Sequence, residues 1–174
     1  MAGSKGKQKT ARDMILSLAV IGIAAAGVYF LAIPHSDHAP DLPRVPYRVE
    51  LIGARRDAGY PVAAPAGLPD TWKATSVRYE PDTKHWHLGY QTPDGQYVQL
   101  EQSTQKAADF ITDASQGASA TKRTQAIDGR TWTRYTGGRY DALVLDGTHG
   151  STTVVAGTAS FDEMAKLAAA LKTG

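Results

Sequence analysis

The chain has no cysteine. Disulfides, thiolate metal sites and a lipid-modified N-terminal cysteine are therefore all excluded. Its body also lacks a basic excess. The first 13 residues carry Lys5, Lys7, Lys9 and Arg12 against Asp13, and the remaining 15 basic and 16 acidic residues all lie in 34–174. The net charge of +2 and the pI of about 8.8 thus reflect a short basic tail. A body without surplus cations has little with which to neutralise phosphates, which argues against nucleic-acid binding. No glycine-rich stretch matches a phosphate loop or a dinucleotide fingerprint, and no cofactor motif is present. "GTHGS" (147–151) lacks the strand–nucleophile–helix setting of G-x-S-x-G and reads as a turn between strands.

A third absence is informative. Met14–Ile33, "MILSLAVIGIAAAGVYFLAI", contains neither charge nor proline. As a helix rising ~1.5 Å per residue, this run reaches about 30 Å, the thickness of a bilayer's hydrocarbon core. It is longer than a signal-peptide core, and "LAIPHSDHAP" offers no small-x-small cleavage site, so a retained anchor is expected. The basic tail before it and Asp37 and Asp41 after it place the N-terminus in the cytoplasm and the body outside. The expected organisation is a cytoplasmic tail (1–13), a transmembrane helix (14–33) in contact with lipid, a proline-rich linker (34–46) and an extracytoplasmic domain (47–174). The linker holds Pro34, Pro40, Pro43 and Pro46, which favour an extended chain of up to about 40 Å.

The body is predicted to be α+β: an antiparallel sheet with two helices packed on its apolar face. Tyr47–Ile52 is expected to be a first strand, followed by a connection held down by Tyr60, Leu68 and Trp72. Apolar residues then alternate at Thr75/Val77/Tyr79, at Trp86/Leu88/Tyr90 and at Val98/Leu100, the mark of half-buried strands. "TPDGQ" (92–96) is hairpin-turn chemistry. Ala107, Phe110, Ile111 and Ala114 predict a helix over 104–115, then a loop over 116–123 and strands near 131–135, 142–145 and 152–155. A final helix carries Met164, Leu167, Ala168 and Leu171, with Ser160 and Glu163 in a capping-box pattern. Shifted by 57 residues, the two halves superpose these patterns. A repeat and a chance rhythm both account for that.

"KHWHLGY" (84–90) holds the one candidate for chemistry. If Trp86, Leu88 and Tyr90 point inward, His85 and His87 share the other face, about 6.5–7 Å apart. Two imidazoles make half of a metal site; a third ligand would have to come from Asp82, Glu101, Asp146 or His149. Polar residues on a wet strand face need no ligand, so the expectation is an exposed pair that binds no metal. Asp109 and Asp113 are expected on the solvated side of the first helix.

The tail, the span, the spacer, "GLPDTWKATSVRYEP", "DGRTWTRY" and the terminal "FDEMAKLAAAL" together resemble the actinobacterial family of unknown function numbered 4245. That resemblance covers nearly the whole chain and implies a single-pass envelope protein of a high-GC Gram-positive bacterium. It brings no activity, cofactor or site residue. The resulting expectation is a non-enzymatic binding or accessory module acting on an envelope protein, peptide or cell-wall polymer, with no catalytic, cofactor or metal residue. The alternatives are a small-ligand sensing domain and, further off, a metal-dependent enzyme using His85 and His87.

Overall fold

The computed structural model describes residues 14–23, 42–148 and 150–173. Residues 14–23 are helical, and their apolar side chains are exposed. At ~1.5 Å per residue they cover about half of a bilayer core. The second half of the expected span, 24–33, lies outside the described residues, as do the tail and most of the linker. Among the described residues no helix is long and apolar enough to cross a membrane.

The body begins with a correction. The expected strand at Tyr47–Ile52 is instead the start of helix α1, Arg48–Asp57. Val49 and Ile52, within the expected strand, are exposed. Leu51, Ala54 and Ala58 are the buried residues, and their spacing is helical. Glu50 in the first turn and Arg55 and Arg56 in the last complement the helix dipole. Tyr60 and Trp72 in the following connection are buried, and Leu68 packs against the same core.

Strands β1 (Ala63–Pro65), β2 (Lys73–Glu80), β3 (His85–Gln91) and β4 (Tyr97–Ser103) come next, then helix α2 (Ala107–Ser115). The expected loop over 116–123 is corrected as well. Gln116 turns the chain in the left-handed region (φ 53°), and strand β5 already starts at Ser119 and runs to Ile127. It lies at the edge of the sheet and is largely exposed, so it carries no apolar alternation to betray it. Strands β6 (Arg130–Thr136), β7 (Asp141–Thr148) and β8 (Ser151–Gly157) follow where strands were expected near 131–135, 142–145 and 152–155. Helix α3 (Phe161–Ala170) is capped by Ser160, whose Oγ accepts from the Glu163 amide at 3.3 Å. Leu171, expected as the last residue of the helical stripe, instead opens strand β9 (Leu171–Thr173), which pairs with β1.

The main sheet has seven antiparallel strands in the order β2-β3-β4-β8-β7-β6-β5. The two halves meet at the β4–β8 pair, so β2-β3-β4 and β6-β7-β8 mirror one another in order, as the 57-residue offset suggests. The helices break this pattern. On one face, α1, α3, β1 and β9 bury a core containing Trp86, Leu88, Leu100, Leu143, Val155, Met164 and Leu167. On the other, α2 lays Phe110, Ile111 and Ala114 over Ala142, Val144, Val154 and Ala156. The expectation of two helices on one apolar face is thereby corrected: three helices cover two faces. Fully buried β8 shows the cause: at Val154, Val155 and Ala156 both sides of this central strand are covered, and both are apolar.

Candidate functional site

The site lies where α2 stops covering the sheet. The β3–β4 hairpin closes with Gln91 opposite Tyr97, and that register sets His87 opposite Glu101. On the other side of β3, Arg78 faces His87 and Glu80 faces His85. Strand alternation then gathers Ser76, Arg78, Glu80, His85, His87 and Glu101 on one face. Trp86, Leu88 and Tyr90 are buried on the opposite face, as expected.

The expected exposure of the histidines is corrected. Their side chains are only 20% and 15% exposed, and Glu101 between them is 6% exposed. Phe110 of α2 meets the His85 ring edge-on at 5.3 Å. His85 Nε2 is 2.6 Å from one Glu101 oxygen and His87 Nδ1 is 2.7 Å from the other. Burial alone would push the Glu101 carboxyl up. The hydrogen bonds from His85 and then His87, with their charges, outweigh it and hold the carboxyl below its usual range. A carboxylate only accepts, so both imidazoles donate to it. The far nitrogen of His87, Nε2, is 2.8 Å from Ser76 Oγ. Ser76 reaches it over Gly89, where any Cβ would collide with the serine hydroxyl. The other His85 nitrogen is 3.9 Å from Glu80.

This carboxylate-bridged imidazole pair forms the floor of a cleft of about 440 Å³, walled by Arg78, Glu80, Gln99, Phe110 and Asp113. Gln99 joins wall to lid: its Nε2 donates to the Ala114 carbonyl of α2 at 2.9 Å, and its Oε1 accepts from Tyr97. Of the four third ligands considered from sequence, Glu101 does join the histidines. Asp146 accepts from Thr152 instead, Asp82 sits in the β2–β3 turn, and His149 lies outside the described residues. Glu101 meets the imidazoles as acceptor to donor, and among the described residues no group of three His, Asp or Glu side chains is placed to hold a metal ion. Asp109 pairs with Lys106 on the solvated side of α2, as expected, whereas Asp113 lines the cleft.

The sequence reading missed Ser76, Arg78, Glu80 and the role of Glu101. The signal for Glu101 was present: a hairpin closing at 91 and 97 must set 87 against 101. The cover provided by α2 carried no such signal.

In class, then, this is an α+β domain whose single large sheet is covered on both faces and carries a polar cleft beside one helix. The chain matches the family described as "Protein of unknown function (DUF4245)" over residues 7–171 and belongs to it. No curated protein and no solved structure matches it.

Proposed function

We propose that the chain is a membrane-anchored binding module of the actinobacterial cell envelope, taking a polar ligand or peptide in the cleft beside α2. The observation that carries this reading is the cleft floor. Its volume falls within the ~300–1,000 Å³ typical of ligand pockets, and convergent polar groups line it. Its imidazoles and carboxylate satisfy one another, so they offer a fixed hydrogen-bonding surface, which suits binding rather than turnover. In this reading residues 14–33 hold the chain in the membrane, 34–46 act as spacer and the body lies outside.

A second reading, ligand sensing, is favoured by the ties to α2. A ligand entering beside Phe110 and Gln99 would press on the helix and change how it docks.

Two experiments test the proposal. A reporter active only outside the cytoplasm, fused after Gly174, is expected to be active, and acidic residues in place of Lys5, Lys7, Lys9 and Arg12 to impair insertion. Activity of a cytoplasm-only reporter in well-inserted protein would refute the topology. For the cleft, the full chain in detergent-solubilised membranes is compared with Asp113→Trp, which fills the mouth from the exposed side of α2. Capture of a ligand or partner is expected to fall at least about tenfold, equivalent to losing roughly 1.4 kcal/mol of binding, with the unfolding midpoint unchanged. Equal capture by both would remove the cleft from the reading.

A further inference from the structure

A second cavity lies on the opposite side of the sheet, where the β1–β9 ladder passes over β6, β7 and β8. It holds about 40 Å³, opens to the surface and is lined by Arg130, Trp132, Thr153, Leu145, Leu171 and Ala63, among others. Three observations bear on its contents. Trp132 is 2% exposed, and its indole Nε1 is, among the described residues, the one buried side-chain polar atom without a hydrogen-bond partner. An unpaired buried donor costs about 1–3 kcal/mol, so a well-packed core retains one only where something supplies the acceptor. Thr153 adds a second donor. Its Oγ1 accepts from Gln102 Nε2 at 3.0 Å, which leaves its O–H to donate elsewhere; Gln102 is itself fixed by the Ala63 amide at 2.7 Å. Among the described residues, Arg130 is the only ionisable side chain lining the cavity, and it has no ion-pair partner there.

The cavity thus combines the unpaired indole donor with the hydroxyls of Ser151, Thr153 and Thr173, one cationic end and aliphatic walls. From this geometry we infer that it binds the carboxylate head of a small monocarboxylic acid, one oxygen accepting from Trp132 Nε1–H and Thr153 and the other turned to the Arg130 guanidinium. The size fits. A single water needs ~10–15 Å³ of such space, so the cavity takes roughly three water-sized groups, a carboxylate and its adjoining carbon. Leu145 and Leu171 would meet the first methylene, and a longer chain would leave by the mouth. An amide of the same shape lacks the charge that Arg130 reads, and an amine brings the wrong sign.

The test uses the full ¹⁵N-labelled chain in detergent micelles. Its three tryptophans give three indole N–H signals, and Trp132→Phe identifies the one that matters. Sodium acetate and sodium butyrate are titrated at constant ionic strength, with acetamide as the neutral isostere. The expected result is a saturable shift of the Trp132 indole signal with both acids and none with acetamide. Arg130→Gln, at an exposed position, is expected to raise the dissociation constant roughly tenfold, as for the loss of one charge-assisted hydrogen bond, with unchanged thermal stability. The inference is overturned by the absence of a saturable shift, by an equal shift with acetamide, or by an Arg130→Gln response identical to wild type. A long-lived water contact to the indole proton that persists through the titration would also overturn it, because the cavity would then hold solvent only.

Discussion

Alanine at both His85 and His87 is expected to destabilise the domain by about 3–5 kcal/mol at neutral pH, the range for leaving a buried charge, here the Glu101 carboxylate, without its partners. On an open strand face the same change would cost almost nothing. The difference is Glu101. Its side chain is 6% exposed, and both its oxygens are satisfied by these two imidazoles, at 2.6 and 2.7 Å. Without them a desolvated carboxylate has no donor left. The test is a rescue. Adding Glu101→Gln to the double variant removes the charge and is expected to recover much of the loss. The pH dependence has a definite sign. In the parent the folded carboxyl sits below its usual range, so its contribution is present above the unfolded value of about 4.3 and is lost as pH falls through the folded one. In the double variant, burial without partners pushes the carboxyl up, and protonation relieves it. Denaturant unfolding should therefore show a smaller cost near pH 4 than at pH 7. A cost equal at both, or no rescue by Glu101→Gln, would mean that the damage is steric rather than electrostatic.

How far such a site can be read in advance depends on which contacts are local. The hairpin Trp86–Tyr90 against Val98–Leu100 is local: alternation gives the faces, the turn gives the register, and both stand in the structure. Helix α3 is similarly legible, because Ser160 caps it and its stripe of Met164, Leu167 and Ala168 all goes inward. Helix α1 misled because burial, not branching, decides its state, and its branched Val49 and Ile52 are the residues that face out. Among the described residues strand β5 pairs with β6 alone and lies at the sheet edge, so its polar sequence is the normal guard of an edge strand and looks like a loop. The face that α2 would choose is a long-range matter. A helical stripe states that a helix is buried, never against which side of a sheet. The one indirect clue was the unbroken apolar runs "ALVL" and "VVA" in β7 and β8, which are what strands covered on both sides contain. Reading them so would have placed a helix over the histidines as well as over the core.

Trp86→Ala is expected to cost about 3–5 kcal/mol, the range for truncating a fully buried large aromatic side chain. Trp86 is 0% exposed in the centre of the larger core, and it does more than fill volume. Its indole N–H donates to the Ala63 carbonyl at 3.0 Å, and the Ala63 amide is held in turn by Gln102 Oε1 at 2.7 Å. Ala63 belongs to β1, which pairs with β9, so this one side chain secures the small β1–β9 ladder to the main sheet. Two contributions are separable. Trp86→Phe keeps most of the packing but removes the donor, leaving the Ala63 carbonyl short of a partner, and should cost about 1–3 kcal/mol. Trp86→Ala adds the cavity. Hydrogen exchange then locates the damage: in Trp86→Phe the amides of Ala63, Ala64 and Leu171–Thr173 should lose protection first, while those of β3 and β4 keep theirs. Two results would count against this account. A cost below about 1 kcal/mol for Trp86→Ala would place the ring outside the core. Equal costs for phenylalanine and alanine would make the hydrogen bond, not the packing, the main contribution of Trp86.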